Sequence, residues 1–257
     1  MKKIFNKIFS KFDNSTIENT IRRKTVLSFL FFFMMICFVI IGWNHFLNQT
    51  KVDGAIKPLR ATLENNEKIL RGVAYSNKNL APTYPIEKAA KRVRVNGNYG
   101  LQNATDTTNW KLKIIRKPGD TLIVTLDEIK ALPKTVITFD FKCIEGWNQI
   151  SNWGGVPFSV FAKKYGLPMD SEYASLETPD KVYYVGIDMP SMLHPQTLLC
   201  YEMNGKTLPL NQGYPLRLII PVKYGVKNIK RIGTISFSNS RPPDYWAERG
   251  YDYYSGL

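Results

Sequence analysis

The hydrophobic pattern changes sharply along the chain. An unbroken apolar run, VLSFLFFFMMICFVIIGW, covers residues 26–43 and has Ser28 as its only clearly polar member. A helix of this length spans about 27 Å, close to the roughly 30 Å hydrocarbon core of a bilayer. A buried core helix would need a polar stripe, and Trp43 stands where an interfacial aromatic belongs. The run therefore predicts a single transmembrane helix.

From residue 110 onward the pattern becomes one of short apolar runs rich in β-branched and aromatic residues, separated by glycine, proline and charged turns. These runs predict strands over WKLKII, TLIVTL, TVITFDFKC, KVYYVGI, TLLCYEM, LRLIIPV and IGTISFS. Helices are predicted only over residues 127–132 and 156–165. The soluble part is thus predicted to be a strand-rich α+β domain.

Residues 44–91 have neither pattern. They include one plausible helix, residues 59–70, but the surrounding chain is polar and lacks a strong apolar face. We therefore predict four segments: a basic N-terminus over 1–25, the transmembrane helix over 26–43, a connector over 44–91 and a folded domain over 92–257.

Charge sets the predicted orientation. The formal net charge is +14, and seven Lys or Arg residues precede the apolar run against two acids. The positive-inside rule then places the N-terminus in the cytoplasm and the later residues outside. No small-residue cleavage site follows, so a retained anchor is expected. Arg22 and Arg23 are either ordinary flanking charges or a twin-arginine address for export of a folded protein.

Cysteine usage leaves three interpretations of Cys143, which ends the predicted strand TVITFDFKC. Three cysteines in 257 residues are too few for a disulfide scaffold, and Cys37 lies in the apolar run. Cys143 is a buried small residue, a disulfide partner of Cys200, or a soft metal ligand. Zinc would need further ligands at short spacing, and His194, which we assign a structural role, is far along the chain.

Three segments carry a resemblance to a known family. The cysteine of CIEGW is followed by an acid, a glycine and a tryptophan; the block over residues 193–238 and the later RPPDYW accompany it. Together they resemble the sulfite oxidase family of molybdopterin-dependent oxidoreductases over residues 92–257. The similarity is greatest to its small heme-free bacterial branch, which includes the catalytic subunit of periplasmic methionine sulfoxide reductase. The fold implied is the mixed sulfite-oxidase-type molybdopterin-binding fold.

The resemblance also implies a site. Cys143 would be the protein's ligand to molybdenum and the catalytic residue, with Glu145 and Trp147 close behind the metal. Arg217, with its planar fork, would bind the phosphate of the cofactor together with Lys230. Gln212 stands where relatives usually have asparagine or histidine, which leaves one contact open. The implied cofactor contacts are Asn96, Tyr99, Gly100, Thr178, Gln212, Arg217, Asn228, Ile229 and Lys230.

The function implied is two-electron or oxygen-atom transfer at a Cys-ligated molybdenum of the molybdenum-molybdopterin cofactor, with sulfoxide reduction as the expected reaction. The alternatives are sulfite-type oxidation by the same site and a cofactor-free, membrane-anchored binding module. Because this cofactor is inserted in the cytoplasm, the resemblance favours folded export through Arg22 and Arg23.

The expected location is the bacterial inner membrane, with a single pass and a periplasmic catalytic domain. Expected partners are the lipid bilayer, a small-molecule or protein sulfoxide or oxyanion, and an electron donor such as a membrane b-type heme subunit or periplasmic cytochrome. Nucleic acid is not expected.

Overall fold

The structure is a computed structural model and describes residues 17–73, 75–103 and 106–256. The chain divides after Lys51 into two compact units. The described residues of the first unit are almost entirely one helix, and the second unit holds the two five-stranded β-sheets.

The first helix, α1, extends over Ile17–Leu47 and has no buried residue. It is longer at both ends than the predicted span 26–43. Its length and apolar composition suffice to cross a membrane. Arg22 and Arg23 lie within this helix, whereas most of the predicted basic segment 1–25 lies outside the described residues.

The second unit consists mainly of short strands. The helices after α1 are α2 Lys57–Val73, α3 Leu126–Lys130, α4 Phe158–Tyr165 and α5 Met189–Met192. The first six strands are β1 Lys51–Val52, β2 Ala55–Ile56, β3 Lys111–Lys117, β4 Asp120–Thr125, β5 Thr135–Lys142 and β6 Asn148–Pro157. The remaining strands are β7 Tyr173–Glu177, β8 Tyr184–Asp188, β9 Leu198–Met203, β10 Lys206–Thr207, β11 Arg217–Ile219 and β12 Thr234–Ser238.

Two five-stranded sheets organise the domain. One has the order β10, β9, β6, β5, with β11 also paired to β9, and the other has the order β4, β3, β12, β7, β8. Within these two sheets every pair is antiparallel except β3 with β12. The predicted strand-rich α+β class is therefore confirmed.

The alternating strands bury one face each. In β3, Leu112 and Ile114 are fully buried while Lys111 and Lys113 are exposed, as a period of two requires. At the end of β4, Thr125 and Glu128 form a capping box that starts α3. Both features follow from the local sequence. The strand was predicted over residues 110–115 and the helix over 127–132, each within a few residues of the observed bounds.

A separate cluster of buried side chains supports the first sheet. Its members are Ile137, Phe139, Trp153, Leu198, Cys200, Leu208 and Ile219. Cys200 is fully buried there, and burial raises the pKa of its thiol to about 12. Cys143 and Cys200 are both free thiols, so the predicted alternative of a disulfide between them is wrong.

Strand β6 is the largest element that the sequence analysis did not name. Its sequence, NQISNWGGVP, is rich in Asn and Gly, which ordinarily favour turns. The strand forms because its polar side chains find partners inside the sheet: Asn152 donates to Thr138 at 2.8 Å. Gly155 is required because a Cβ there would lie 2.2 Å from the Leu199 carbonyl oxygen. Strands β7 and β10 and helix α5 were also missed.

Candidate cofactor site

Cys143 lies directly after β5, at the start of the tight turn that leads into β6. Its N–H donates to the Trp147 carbonyl at 2.9 Å, and its carbonyl accepts from Gly146 N at 3.1 Å. Gly146 has a φ of +87°, which favours glycine. The thiol is 7% exposed and lies on the wall of a cavity of about 330 Å³. This position differs from that of Cys200, which is enclosed by side chains of the core.

The cavity brings together most of the predicted site residues. Those that line it are Asn96, Tyr99, Cys143, Gln212, Arg217, Asn228 and Lys230. They come from five separate parts of the chain: the segment before β3, the β5–β6 turn, the connection between β10 and β11, the start of β11 and the loop before β12.

Three predicted residues lie behind this lining rather than in it. Gly100 has a φ of +75°, and a Cβ there would lie 2.3 Å from Thr178 Cγ2. Thr178 is buried, and its hydroxyl donates to Asp180 at 2.6 Å. Ile229 belongs to the main hydrophobic core. None of these three residues lines the cavity in this structure, and their predicted direct contacts with a cofactor remain predictions.

Arg217 is the most deeply buried cation of the cavity, with 2% exposure. It donates from Nη1 to the Gln212 carbonyl and Oε1 at 3.1 and 2.9 Å, and from Nη2 to the Asn228 carbonyl at 3.2 Å. Its guanidinium also packs 4.6 Å from the Trp153 ring. Its Nε has no hydrogen-bond partner among the described residues. Burial lowers the pKa of Arg217 to about 10.

Lys230 adds a second cation at this end of the cavity. Its Nζ donates to the carbonyls of Asn96 and Gly97 at 2.7 and 2.9 Å. Burial, with a further contribution from Arg217, lowers its pKa to about 7. Among the described residues no carboxylate forms an ion pair with either cation. A buried and a half-buried cation next to each other, without an acid, form a site that favours an anionic ligand.

The two amide side chains near Arg217 have mainly structural partners. Asn228 accepts from Ile220 N at 2.8 Å and donates to the Tyr224 carbonyl at 3.1 Å. Gln212 accepts from Arg217 and donates to the Arg94 carbonyl at 3.1 Å. Gln212 thus orients the guanidinium in this structure, and its predicted contact with the cofactor stays a prediction.

A hydrogen-bonded group surrounds the thiol. The Asn96 side-chain amide lies 3.5 Å from Cys143 Sγ and donates to Glu145 Oε2 at 3.1 Å. The same carboxylate oxygen accepts from Trp147 Nε1 at 3.1 Å. The Arg94 guanidinium packs 4.6 Å from the Trp147 ring. Glu145 is therefore linked to the sulfur through Asn96, and Trp147 is linked to it through Glu145.

Three aromatic side chains, Tyr99, Trp246 and Tyr251, line another part of the cavity and are called the aromatic wall below. The Trp246 ring lies 6.0 Å from that of Tyr99 and 5.1 Å from that of Tyr251. Tyr99 and Tyr251 are 40% and 41% exposed. The wall thus belongs to an exposed part of the lining, called the open end below, whereas Arg217 belongs to a buried part, called the closed end.

Sequence reasoning missed part of this lining. Arg94, Trp246 and Tyr251 were given no role, although Trp246 belongs to the quoted RPPDYW motif. Asp244 of that motif has a structural role, because its Oδ1 accepts from the backbone N–H groups of Trp246 and Ala247 at 3.2 and 3.0 Å. Arg94 lies within the basic stretch KRVRV, which gave no signal beyond its charge.

The donor set fits a molybdenum-molybdopterin group better than a protein-only metal site. Within the described residues, no three His, Cys, Asp or Glu side chains form a cluster that could hold a metal. One thiol on the cavity wall supplies a single soft ligand, and the unpartnered Nε of Arg217 with Lys230 provides for an anion. The fold and this cavity define a protein that binds an anionic cofactor carrying its own metal ligands.

Comparison with known proteins identifies the class. The family described as the oxidoreductase molybdopterin binding domain matches residues 99–246, and the chain belongs to this family. It is therefore an oxidoreductase with a molybdenum-molybdopterin cofactor, and the predicted family, enzyme class and cofactor are confirmed. The alternative of a cofactor-free binding module is at odds with this membership.

The relatives are bacterial. The chain is 33% identical over 206 residues to the putative protein-methionine-sulfoxide reductase subunit YedZ1 of Azospira oryzae, covering 79% of this chain and 78% of that one. It is 32% identical over 155 residues to the protein-methionine-sulfoxide reductase catalytic subunit MsrP of Xanthomonas axonopodis, covering 53% of this chain and 47% of that one. The chain thus matches about half the length of that second relative.

Among solved structures, the sulfane dehydrogenase SoxCD of Paracoccus pantotrophus is similar, with a TM-score of 0.48 and 19% identity. The alignment covers 54% of this chain and 40% of that one.

Proposed function

We propose that the chain is a membrane-anchored reductase of methionine sulfoxide in which Cys143 ligates molybdenum. The observation that carries the site is the position of Cys143, a free thiol on the wall of the cavity that also contains the unpaired cations Arg217 and Lys230. The substrate is supported by the relatives, whose names state reduction of protein methionine sulfoxide.

Different residues of the cavity would bind different parts of the cofactor. Cys143 would bind the metal, and Arg217 with Lys230 would bind the terminal phosphate, for which a fork of donors and a point charge are suited. Asn96 and Tyr99 would contact the organic part between these ends. Tyr99, which also belongs to the aromatic wall, would lie at the boundary between the cofactor and the substrate. Gln212 and Asn228 would orient Arg217. Gly100, Thr178 and Ile229 would pack behind the residues that line the cavity.

The bound cofactor supplies two-electron, oxygen-atom transfer, in which a sulfoxide, two electrons and two protons give a thioether and water. The protein's own contribution is orientation and local polarity. Asn96 holds an N–H near the sulfur, and such donors reduce the electron density that a thiolate offers a metal. Glu145 fixes that amide, and the aromatic wall offers ring contacts that suit a methionine sulfur.

The cellular setting is part of the same proposal. Helix α1 is long and apolar enough to act as an anchor, and the basic residues before the apolar run favour a cytoplasmic N-terminus. The catalytic domain, residues 92–257, would then lie in the periplasm at the bacterial inner membrane, exported folded through Arg22 and Arg23. Electrons would come from a membrane heme subunit or periplasmic cytochrome.

The test compares two buried free cysteines. Full-length protein is purified with its cofactor as wild type, Cys143→Ser and Cys200→Ala. Molybdenum per chain is measured together with reduction of methionine sulfoxide by a chemically reduced viologen dye. Wild type and Cys200→Ala should hold close to one molybdenum and turn over, whereas Cys143→Ser should have lost turnover by at least about a thousandfold.

Two results would contradict the proposal. Full turnover by Cys143→Ser would remove the thiolate from the mechanism. Oxidation of sulfite to sulfate by wild type, with no reduction of methionine sulfoxide, would show that the substrate is an oxyanion.

A further inference from the structure

Arg60, in the part of α2 that precedes the family match, is buried at 4% exposure and has no carboxylate partner among the described residues. Its guanidinium donates instead to four backbone carbonyls. Two belong to Val52 and Asp53, at 3.4 and 2.6 Å, and two belong to Ala247 and Tyr251, at 2.6 and 3.1 Å. One side chain thus joins the chain before α2 to the segment that carries the aromatic wall.

The second pair of acceptors defines what Arg60 holds in place. Ala247 directly follows Trp246, and Tyr251 is itself part of the aromatic wall. Between them the chain turns through Gly250, whose N–H donates to the Ala247 carbonyl, while Tyr251 N donates to the Trp246 carbonyl. Arg60 therefore fixes both ends of the turn that places Trp246 and Tyr251 side by side.

An independent close contact exists at the same place. Gly54 has a φ of +74°, and a Cβ there would lie 2.5 Å from the Glu248 carbonyl oxygen and 2.6 Å from Gly250 N. The backbone of the turn between β1 and β2 is therefore packed directly against the backbone of residues 248–250. Without Arg60, four carbonyls at this packed junction would lose a charged donor.

We infer that Arg60 is a positioning residue for the aromatic wall, and that the wall is the part of the cavity that receives the substrate. The inference rests on the proposed function, because it assigns the open end of the same cavity to a sulfoxide and the closed, cationic end to the cofactor. The planar fork of arginine reaches both pairs of carbonyls at once, whereas a lysine presents its donors from a single atom.

The test uses full-length, cofactor-loaded protein with Arg60→Lys and Arg60→Met. Hydrogen exchange of the amides of Gly250 and Tyr251 reports on the wall directly. Exchange at both amides should be at least about tenfold faster in Arg60→Met and intermediate in Arg60→Lys. The KM for methionine sulfoxide should rise about three- to tenfold with kcat within about twofold, and molybdenum content should be unchanged.

Glu67→Gln is the matched control. Glu67 is also a buried charge of α2, at 3% exposure, and it binds Arg241 at 2.7 Å, but it has no contact with the wall. Glu67→Gln should leave the exchange rates of both amides and the KM for methionine sulfoxide as in wild type. If Glu67→Gln changed exchange and KM equally, the cause would be a general disturbance of how α2 packs, and the inference would be overturned.

The outcomes separate the two proposals. Unchanged exchange and KM in Arg60→Lys and Arg60→Met, in a wild type that reduces sulfoxide, would overturn the role of Arg60 alone. A wild type that does not reduce sulfoxide would refute the proposed function and with it the assignment of the wall to a sulfoxide, while the exchange measurement would still decide whether Arg60 holds the wall.

Discussion

The side-chain amide of Asn96 lies 3.5 Å from Cys143 Sγ, although 47 residues separate the two along the chain. Glu145 Oε2 accepts from the same amide at 3.1 Å and from Trp147 Nε1 at 3.1 Å. The carboxylate therefore holds the amide beside the sulfur, and the polarity at the sulfur depends on a residue that does not itself contact it.

Replacing Asn96 with Ala should lower the midpoint potential of the metal by an amount on the order of tens of millivolts. An N–H near a thiolate withdraws electron density, and its loss makes the sulfur a stronger donor that favours the oxidised metal. Redox titration followed by electron paramagnetic resonance measures the shift. Asn148→Ala is the control, because Asn148 follows the same turn but its side-chain amide donates to Asp140. Equal potentials in wild type and Asn96→Ala would refute this role.

Replacing Lys230 with Met should release the cofactor. Lys230 and Arg217 are the two cations of the closed end, and removal of one charged donor to a phosphate should weaken binding at least about tenfold. Molybdenum per chain after gel filtration measures the loss. Lys134→Met is the control, since Lys134 binds Glu202 at the surface, with its side chain 46% exposed. Full molybdenum retention by Lys230→Met would place the phosphate elsewhere.

The same substitution should weaken cofactor binding but raise the free energy of unfolding of the cofactor-free protein. The pKa of Lys230 is about 7 in the folded protein, against 10.5 for an ordinary lysine. Between these values the unfolded chain binds more protons, so this group makes stability rise with pH across the window from about 7 to about 10.5. Lys230→Met should therefore stabilise the cofactor-free protein by about 1–3 kcal/mol at pH 7, after allowance for solvent screening.

The difference in the free energy of unfolding between Lys230→Met and wild type should shrink steadily as pH approaches about 10. Urea unfolding of cofactor-free protein at several pH values measures both curves, and their difference removes the contributions of other groups, such as the Cys200 thiol. A difference that does not vary with pH would show that Lys230 is not desolvated in the folded protein.

The sequence predicted what local pattern and motif determine. The apolar pattern located β3, and it placed Cys143 correctly at the end of a strand. Both predictions succeeded because each depends only on residues that are neighbours in the chain. It missed β6, whose Asn and Gly residues are satisfied only by partners across the sheet.

The contribution of α2 to the second compact unit could not be predicted for a related reason. Its buried residues are Arg60 and Glu67, so its packing onto the domain depends on charged groups that also bind Ala247, Tyr251 and Arg241, more than 170 residues away. The helix itself was predicted over residues 59–70, but a search for an apolar face cannot show how it packs. The aromatic wall was likewise hidden, since Tyr99 and Tyr251 come together only in the folded chain.

A buried ion pair behind the aromatic wall supplies the last prediction. Lys227 Nζ lies 2.5 Å from Asp244 Oδ2, both side chains are 2% exposed, and Asp244 also caps the turn that begins with Trp246. Asp244→Asn should cost about 3–5 kcal/mol, because it leaves a buried ammonium without its counter-charge. Combining it with Lys227→Met should cost much less than the sum of the two single changes. Urea unfolding of the four proteins gives this coupling, and strictly additive losses would mean that the two groups do not stabilise each other.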